Sequence, residues 1–182
     1  MEEVIDLQQT IQKDGVNFGI ISDTHGSLNE NIIGSLQQCD VILHAGDIGD
    51  ADVLDDLKKF TPHVFPVRGN NDVEPKWPQQ HHRVLKKIPE TIELRFNNQV
   101  IAMTHGHQHA CVDTRHTKLR KQFEHASIIV YGHSHRLVCD CEQTPWVINP
   151  GAGGYNRTFG GPSCLVIHYH QKKWSIKEYR AE

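Results

Sequence analysis

Three short apolar runs, at residues 16–22 (VNFGIIS), 40–46 (DVILHAG) and 63–69 (HVFPVRG), alternate with helical spacing at 28–38 and 51–60. Strand-sized runs separated by helices of about ten residues build a parallel sheet, because a parallel return needs a crossover of that length. Each run also ends the same way, in glycine and polar side chains: DTHG at 23–26, AGDIGD at 45–50 and RGNND at 68–72. In open parallel sheets ligands gather beyond the carboxyl ends of the strands. The pattern therefore points to a site as well as to a fold.

Downstream, prolines break residues 73–89. Runs at 91–96 and 99–106 read as a hairpin around Asn97-Asn98, and a polar helix is expected over 113–125. SIIVYGHSH (127–135) is another strand ending in glycine and histidines. The tail pieces RLVCDCE, PWVINP, SCLVIHYH and KWSIKEYR alternate and read as antiparallel strands. A strand–helix half followed by a strand-rich half predicts an α/β protein of two packed sheets with helices outside. Residues 1–182 suit one domain. Residues 1–15 precede the first core strand and read as an N-terminal extension, either an added helix or a loose arm.

Composition narrows the functional classes. The formal charge is -3, so no basic excess advertises nucleic acid and no basic tract advertises a membrane surface. The apolar runs are far shorter than the ~20 residues that span a bilayer. The acidic, polar MEEVIDLQQTIQKDG is unlike a signal peptide, which makes the cytoplasm the expected compartment. The five cysteines are scattered without CxxC, which argues against a disulfide scaffold or a thiolate zinc site, and Cys139 and Cys141 read as strand packing. Fourteen histidines stand against two methionines, and imidazole is the commonest metal-binding side chain.

Five strand ends carry metal-binding residue types: Asp23 and His25; Asp47; Asn70, Asn71 and Asp72; His105 and His107; His133 and His135. Singly, each is an ordinary cap, turn or core histidine. Together they are hard to place by chance at five carboxyl ends beside glycines. Carboxylate, amide and imidazole without thiolate suit manganese, iron, zinc, nickel or cobalt better than calcium. Seven good ligands among them exceed one tetrahedral site and divide into two sites sharing a carboxylate. Paired metals roughly 3.5–4 Å apart serve displacement at phosphorus.

The motifs D-x-H (23–25), G-D (46–47), G-N-x-D (69–72), T-H-G-H (104–107) and G-H-S-H (132–135) resemble those of the calcineurin-like metallophosphoesterases. Their order is similar to that of the small YfcE-like phosphodiesterase branch, and NPGAGG (149–154) is similar to its NPGS segment. The resemblance implies a four-layer α/β-β/α sandwich of two mixed sheets and a centre of two divalent ions, manganese first. It implies one ion on Asp23, His25, Asp47 and His135, and another on Asp47, Asn70, His105 and His133, with a bridging hydroxide as nucleophile. Asp72 is expected to orient a ligand histidine. Wider relatives carry histidine where this chain has Asn71, and that histidine is thought to protonate the leaving group. Asparagine can only hydrogen-bond the phosphate, so leaving groups that need no proton are favoured, or His107 supplies one.

Arg157, after the glycine run, is a candidate phosphate clamp. His109, Arg115 and His116 read as a His-rich loop near the site, solvated rather than meeting substrate on the first reading and a substrate contact on the second, His81-His82 as a loop, and KKWSIKEYRAE as a solvated edge strand. The expected partner is a small phosphodiester or nucleotide-like substrate, and the family suggests a homo-oligomer. The alternatives are a protein-binding scaffold that keeps the fold, as in the retromer subunit, or a phosphomonoesterase.

Overall fold

The computed structural model describes residues 2–8, 11, 15–109 and 111–181. In chain order the strands are β1 (Glu2–Asp6), β2 (Val16–Ile21), β3 (Val41–His44), β4 (Val64–Pro66), β5 (Thr91–Phe96) and β6 (Gln99–Thr104). Then follow β7 (Ile128–Val130), β8 (Leu137–Asp140), β9 (Trp146–Pro150), β10 (Ser163–His170) and β11 (Lys173–Arg180). The α-helices are α1 (Glu30–Leu36), α2 (Ala51–Lys58), α3 (His82–Leu85) and α4 (Val112–Gln122). Asn29 and Asp50 begin α1 and α2 by accepting the N–H of Asn31 and Asp52, which satisfies donors a helix start leaves open.

The strands form two mixed sheets, ordered β1-β5-β6-β7-β9-β8 and β11-β10-β2-β3-β4. The β2-β3-β4 unit is parallel, and so is β6-β7-β9. Alternation along each strand then decides the layers. Phe18, Ile20, Val41 and Leu43 meet Ile92, Leu94, Ile101, Met103, Ile128 and Val130 between the sheets. Their neighbours face out: Ile21 and Ile42 pack on Ile32 and Leu36 of α1 and Leu54 and Leu57 of α2, while Ala102 and Ile129 pack on Leu119 of α4. Strands covered on both faces read as apolar runs rather than alternating ones, which is why these segments stood out. The result is helix, sheet, sheet, helix.

Two expectations are corrected. Among the described residues before β2, the added helix or loose arm is replaced by a strand. Glu2–Asp6 is a strand paired parallel to β5, with Val4 opposite Glu93, and Leu7 and Ile11 are buried between the sheets. The tail is not wholly antiparallel: β9 slots between β8 and β7 and runs parallel to β7. Side-chain alternation reports faces, not the direction of a neighbour. The solvated reading of 172–182 also changes in part, because Trp174 and Ile176 of edge strand β11 pack on the inter-sheet core.

Candidate metal centre

The loops after β2, β3 and β7 hold unusual backbone. Asp23 (φ 53°), His25 (48°), Asp47 (53°), His133 (68°) and His135 (55°) all lie in the left-handed region, at roughly 1–3 kcal/mol each for a non-glycine residue. Among the described residues, the others are Arg157 and the pairs Asn97-Asn98 and Gln171-Lys172, and those pairs are two-residue hairpin turns that require it. Strain is thus gathered where the surrounding fold overdetermines it. The loops also close tightly: a Cβ on Gly69 would strike the Asp47 carboxylate, and one on Gly132 would strike Ser22 Oγ.

The first donor set joins β2, β3 and β7. Asp23 is fully buried. Its Oδ2 accepts from Ser22 Oγ at 2.7 Å and from the His133 N–H at 3.0 Å. Its Oδ1 has no hydrogen-bond partner, although His135 Nε2 lies 3.2 Å away. His135 Nε2 is in turn 3.3 Å from His25 Nε2, with the rings stacked at 5.1 Å. Asp47 Oδ2 lies 3.9 Å from His25 Nε2. One donor atom from each of Asp23, His25, Asp47 and His135 falls within 4.8 Å of the other three. Two buried carboxylates and two facing imidazoles form a nest of acceptors, and a buried, unpartnered carboxylate oxygen is costly. A divalent cation with donors at about 2.0–2.2 Å fits that nest.

The second set is built around the other edge of Asp47. His105 is fully buried, and its Nδ1–H donates to the Ala45 carbonyl at 2.7 Å. That bond fixes the tautomer and leaves Nε2 as a lone pair. Nε2 sits 3.4 Å from Asp47 Oδ1 without the alignment of a hydrogen bond. The His133 and His107 rings lie 5.3 and 5.7 Å from that of His105. Asn70 is exposed; the amide that meets the centre is that of Asn71, whose backbone N–H and Nδ2 donate to the two oxygens of Asp47 at 2.8 and 2.6 Å. Lys76, which sequence reasoning passed over, donates to Asn71 Oδ1.

The charge states follow. Burial pushes the Asp47 carboxyl up, but the His105 contact and the Asn71 bonds outweigh it and hold it well below the carboxylate range. Burial opposes a charge on His105, yet the Asp47 contact raises it on balance. His25 and His133 are pushed down, chiefly by burial, so both are neutral donors near pH 7. His107 is lowered for the same first reason, and its buried Nδ1 has no partner.

The comparison with known families falls on this frame. The calcineurin-like phosphoesterase superfamily domain matches residues 16–172. The chain belongs to the calcineurin-like phosphoesterase superfamily. It is 25% identical over 161 residues to a probable metallophosphoesterase of Methanothermobacter thermautotrophicus, covering 86% of this chain and 87% of that protein. It is 24% identical over 168 residues to a phosphodiesterase of Methanocaldococcus jannaschii, covering 87% and 96%. Its fold is similar to that of vacuolar protein sorting 29 from Cryptosporidium parvum, with a TM-score of 0.71 at 20% identity over 93% of this chain and all of that one. Phosphoester hydrolysis with divalent metal ions is what this membership implies. No helix among the described residues is long and apolar enough to cross a membrane.

Several residues brace this centre in ways the sequence did not show. His44 is fully buried: the Gly46 N–H donates to its Nδ1, so Nε2 carries the proton and donates to Thr24 Oγ1 at 2.9 Å. Thr24 passes a hydrogen bond on to the Ile48 carbonyl at 3.0 Å. Burial pushes the His44 pKa down to about 4, so the ring stays neutral and ties the Asp23–His25 loop to the Asp47 loop. The available signal was a histidine ending the apolar VILH run. Asn149 Nδ2 donates to the Gly132 carbonyl at 2.7 Å and to Ser134 Oγ at 3.1 Å, so the NPGAGG segment supports the GHSH loop. Asp72 accepts from the N–H groups of Ile48, Gly49 and Gly69 and from Trp77 Nε1. Those four bonds fill a carboxylate's acceptor positions, and none comes from a ligand histidine.

Among the outer residues, Arg157 is exposed and its Nη2 lies 3.1 Å from His25 Nε2. The solvated-loop reading of Arg115 and His116 is corrected. Both stand on α4; Arg115 is buried, and His116 is held by Asp140 at 2.7 Å and the Tyr131 hydroxyl at 3.0 Å. His109 bonds Gln122 Oε1 and accepts Arg115 Nε on its carbonyl. His81 and His82 are helical rather than loop. Asp50, Asp52 and His81 also cluster, but Asp50 already caps α2 and bonds His81 at 2.7 Å.

Proposed function

We propose that the protein is a metal-dependent phosphodiesterase, one catalytic domain that hydrolyses small phosphodiesters. The observation that carries this reading is the buried Asp23 Oδ1, unpartnered and facing His135 and His25. Asp23, His25, Asp47 and His135 would hold one ion. Asp47, Asn70, His105 and His133 would hold the other, with Asp47 shared and manganese the first choice for such donors. Bound there, divalent ions lower the pKa of water toward neutrality and neutralise charge building on phosphoryl oxygens.

The chain's own residues do the rest. The Ala45 carbonyl keeps the His105 proton on Nδ1, so Nε2 always faces the centre. His25 and His133 stay uncharged and available near pH 7. Arg157 reaches the same opening and offers a phosphate its two-pronged guanidinium. Asn71, tied to Asp47 and Lys76, has no proton to give. A leaving group that departs as an anion therefore suits this site. Metal-stripped protein should cleave bis(p-nitrophenyl) phosphate only after Mn²⁺ is restored, and faster than p-nitrophenyl phosphate. No turnover with any divalent metal that binds would end this reading.

One observation favours a second reading, a protein-binding scaffold. Away from the centre, Ile5, Val64, Phe65, Val84 and Ile88 line an apolar groove of about 480 Å³. The turnover assay above separates the two readings.

A further inference from the structure

Beside the metal centre lies a cavity of about 520 Å³, and His133 and Ser134 form part of its wall. That volume sits within the roughly 300–1,000 Å³ of small-molecule sites. We propose that this cavity is a subsite for a flat aromatic ester group of the substrate, so that the phosphodiester is nucleoside-like rather than a simple alkyl ester. The inference rests on the phosphodiesterase reading and adds to it the group that flanks the phosphate.

Three features point to that chemistry. The first is an exposed stacking surface. Phe159 is 49% exposed, and the Arg136 guanidinium lies over its ring at 4.5 Å from the centroid. A flat cation on a half-open ring offers two π-type surfaces, and aromatic bases stack on such platforms. The second is charge. The cavity lining carries Arg115 and Arg136 and no carboxylate. Asp140, which holds His116 of the wall, is spent on His116 Nδ1 and Arg120, each at 2.7 Å. The wall is therefore cationic and apolar, which suits an organic group attached to an anion.

The third is rigidity. Both nitrogens of His116 are occupied, by Asp140 and by Tyr131. Arg115 is buried, donates through Nε to the His109 carbonyl at 2.7 Å and lies 5.6 Å from the Tyr131 ring centroid. Walls held in this way lose little freedom when a ligand enters. Phe159 belongs to none of the buried clusters, so its exposure is not accounted for by packing. The apolar groove near β4, the cleft lined by Asn17, Cys39 and His168 and the cleft lined by Gly15, Asn97 and Lys172 lack this adjacency to the centre.

The test uses the Mn²⁺-loaded full chain and two diesters with one leaving group, thymidine 5′-(p-nitrophenyl phosphate) and methyl p-nitrophenyl phosphate. The nucleoside ester should show kcat/KM higher by about tenfold, mostly through KM. Phe159→Ala should remove that advantage and leave the methyl ester unchanged, while Phe159→Trp should retain it. Calorimetric binding of thymidine 5′-monophosphate gives a readout independent of turnover, and Phe159→Ala should weaken it by the same factor. Equal kcat/KM for the two diesters, or equal losses on both in Phe159→Ala, overturns the subsite while leaving the phosphodiesterase reading standing. Nucleotide binding that depends on Phe159 without turnover of either diester supports the subsite and overturns the phosphodiesterase reading.

Discussion

The two donor sets flanking Asp47 are built differently. On the Asp23 side, four donor atoms already converge within 4.8 Å, and the Asp23 Oδ1 among them is buried without a hydrogen-bond partner. On the His105 side one histidine is locked by the Ala45 carbonyl, but Asn70 faces solvent. The first set is ready for a cation. The second needs Asn70 to turn in. Preformed sites bind more tightly because less ordering is spent at binding. The comparison teaches that the two proposed ions should differ in affinity although they share a ligand.

The largest expected effect breaks the comparison at its hinge. Asp47→Asn removes a charged donor common to both sets, so metal binding and diester hydrolysis should fall together. Outer partners of metal ligands alone are worth about 10–100-fold, so loss of the shared ligand should exceed a hundredfold in kcat/KM. Wild-type turnover in that variant would refute the shared assignment. Next come variants that separate the sets. Asp23→Ala should abolish the tighter phase of a Mn²⁺ titration, and His133→Ala the weaker one, read by calorimetry on metal-free protein. A single phase of equal affinity in the wild type would show that the difference between the sets is unimportant.

A third effect concerns the His44 brace, which ties the Asp23–His25 loop to the Asp47 loop. His44 has its pKa pushed to about 4 by burial, against an ordinary value of 6.5. The unfolded chain takes a proton below about pH 6.5 that the folded ring refuses. Stability is therefore full above that pH, falls as pH drops toward 4, and levels off below it. The slope approaches about 1.4 kcal/mol per pH unit and totals on the order of 3 kcal/mol. His25, His107 and His133 are shifted in the same direction and add to the loss, while His105 is shifted the other way. Thermal melts of metal-free protein between pH 7.5 and 4.5 should show the decline, and His44→Asn should be less stable at pH 7.5 but flatter. An equally steep decline in that variant would remove His44 as its source.

Much of this was legible in the chain, and for identifiable reasons. Strands covered on both faces leave unbroken apolar runs, so β2, β3 and β7 could be found. The residues placed beyond their ends could be read as one site because glycine turns mark each end. Three things were not legible. Pairing direction was hidden, so β9 was misread, because alternation says nothing about which strand lies alongside. The Glu2–Asp6 strand was hidden because five residues ending in an acid carry no period to recognise, and only the open edge of β5 explains them. The roles of His44, Asn149 and Asp72 were hidden because each acts through backbone groups brought together by the fold from loops far apart in sequence.

The smallest expected effect sharpens the comparison at its looser edge. Asn71 holds both Asp47 oxygens and is itself held by Lys76, so the position governs the shared carboxylate and the opening above it. An amide there cannot protonate a departing alkoxide, whereas an imidazole can. Asn71→His should therefore raise hydrolysis of a substrate with a poor, basic leaving group by severalfold relative to a p-nitrophenyl ester, whose phenolate leaves without help. It should also loosen the weaker Mn²⁺ phase only modestly, because the backbone N–H to Asp47 remains. The measurement is the ratio of alkyl to p-nitrophenyl ester turnover in the two proteins at matched metal occupancy. A rise in that ratio assigns the limit on leaving groups to the side chain at 71. An unchanged ratio means that the proton is supplied elsewhere, with His107, whose ring lies 6.3 Å from that of His133, as the next residue to replace.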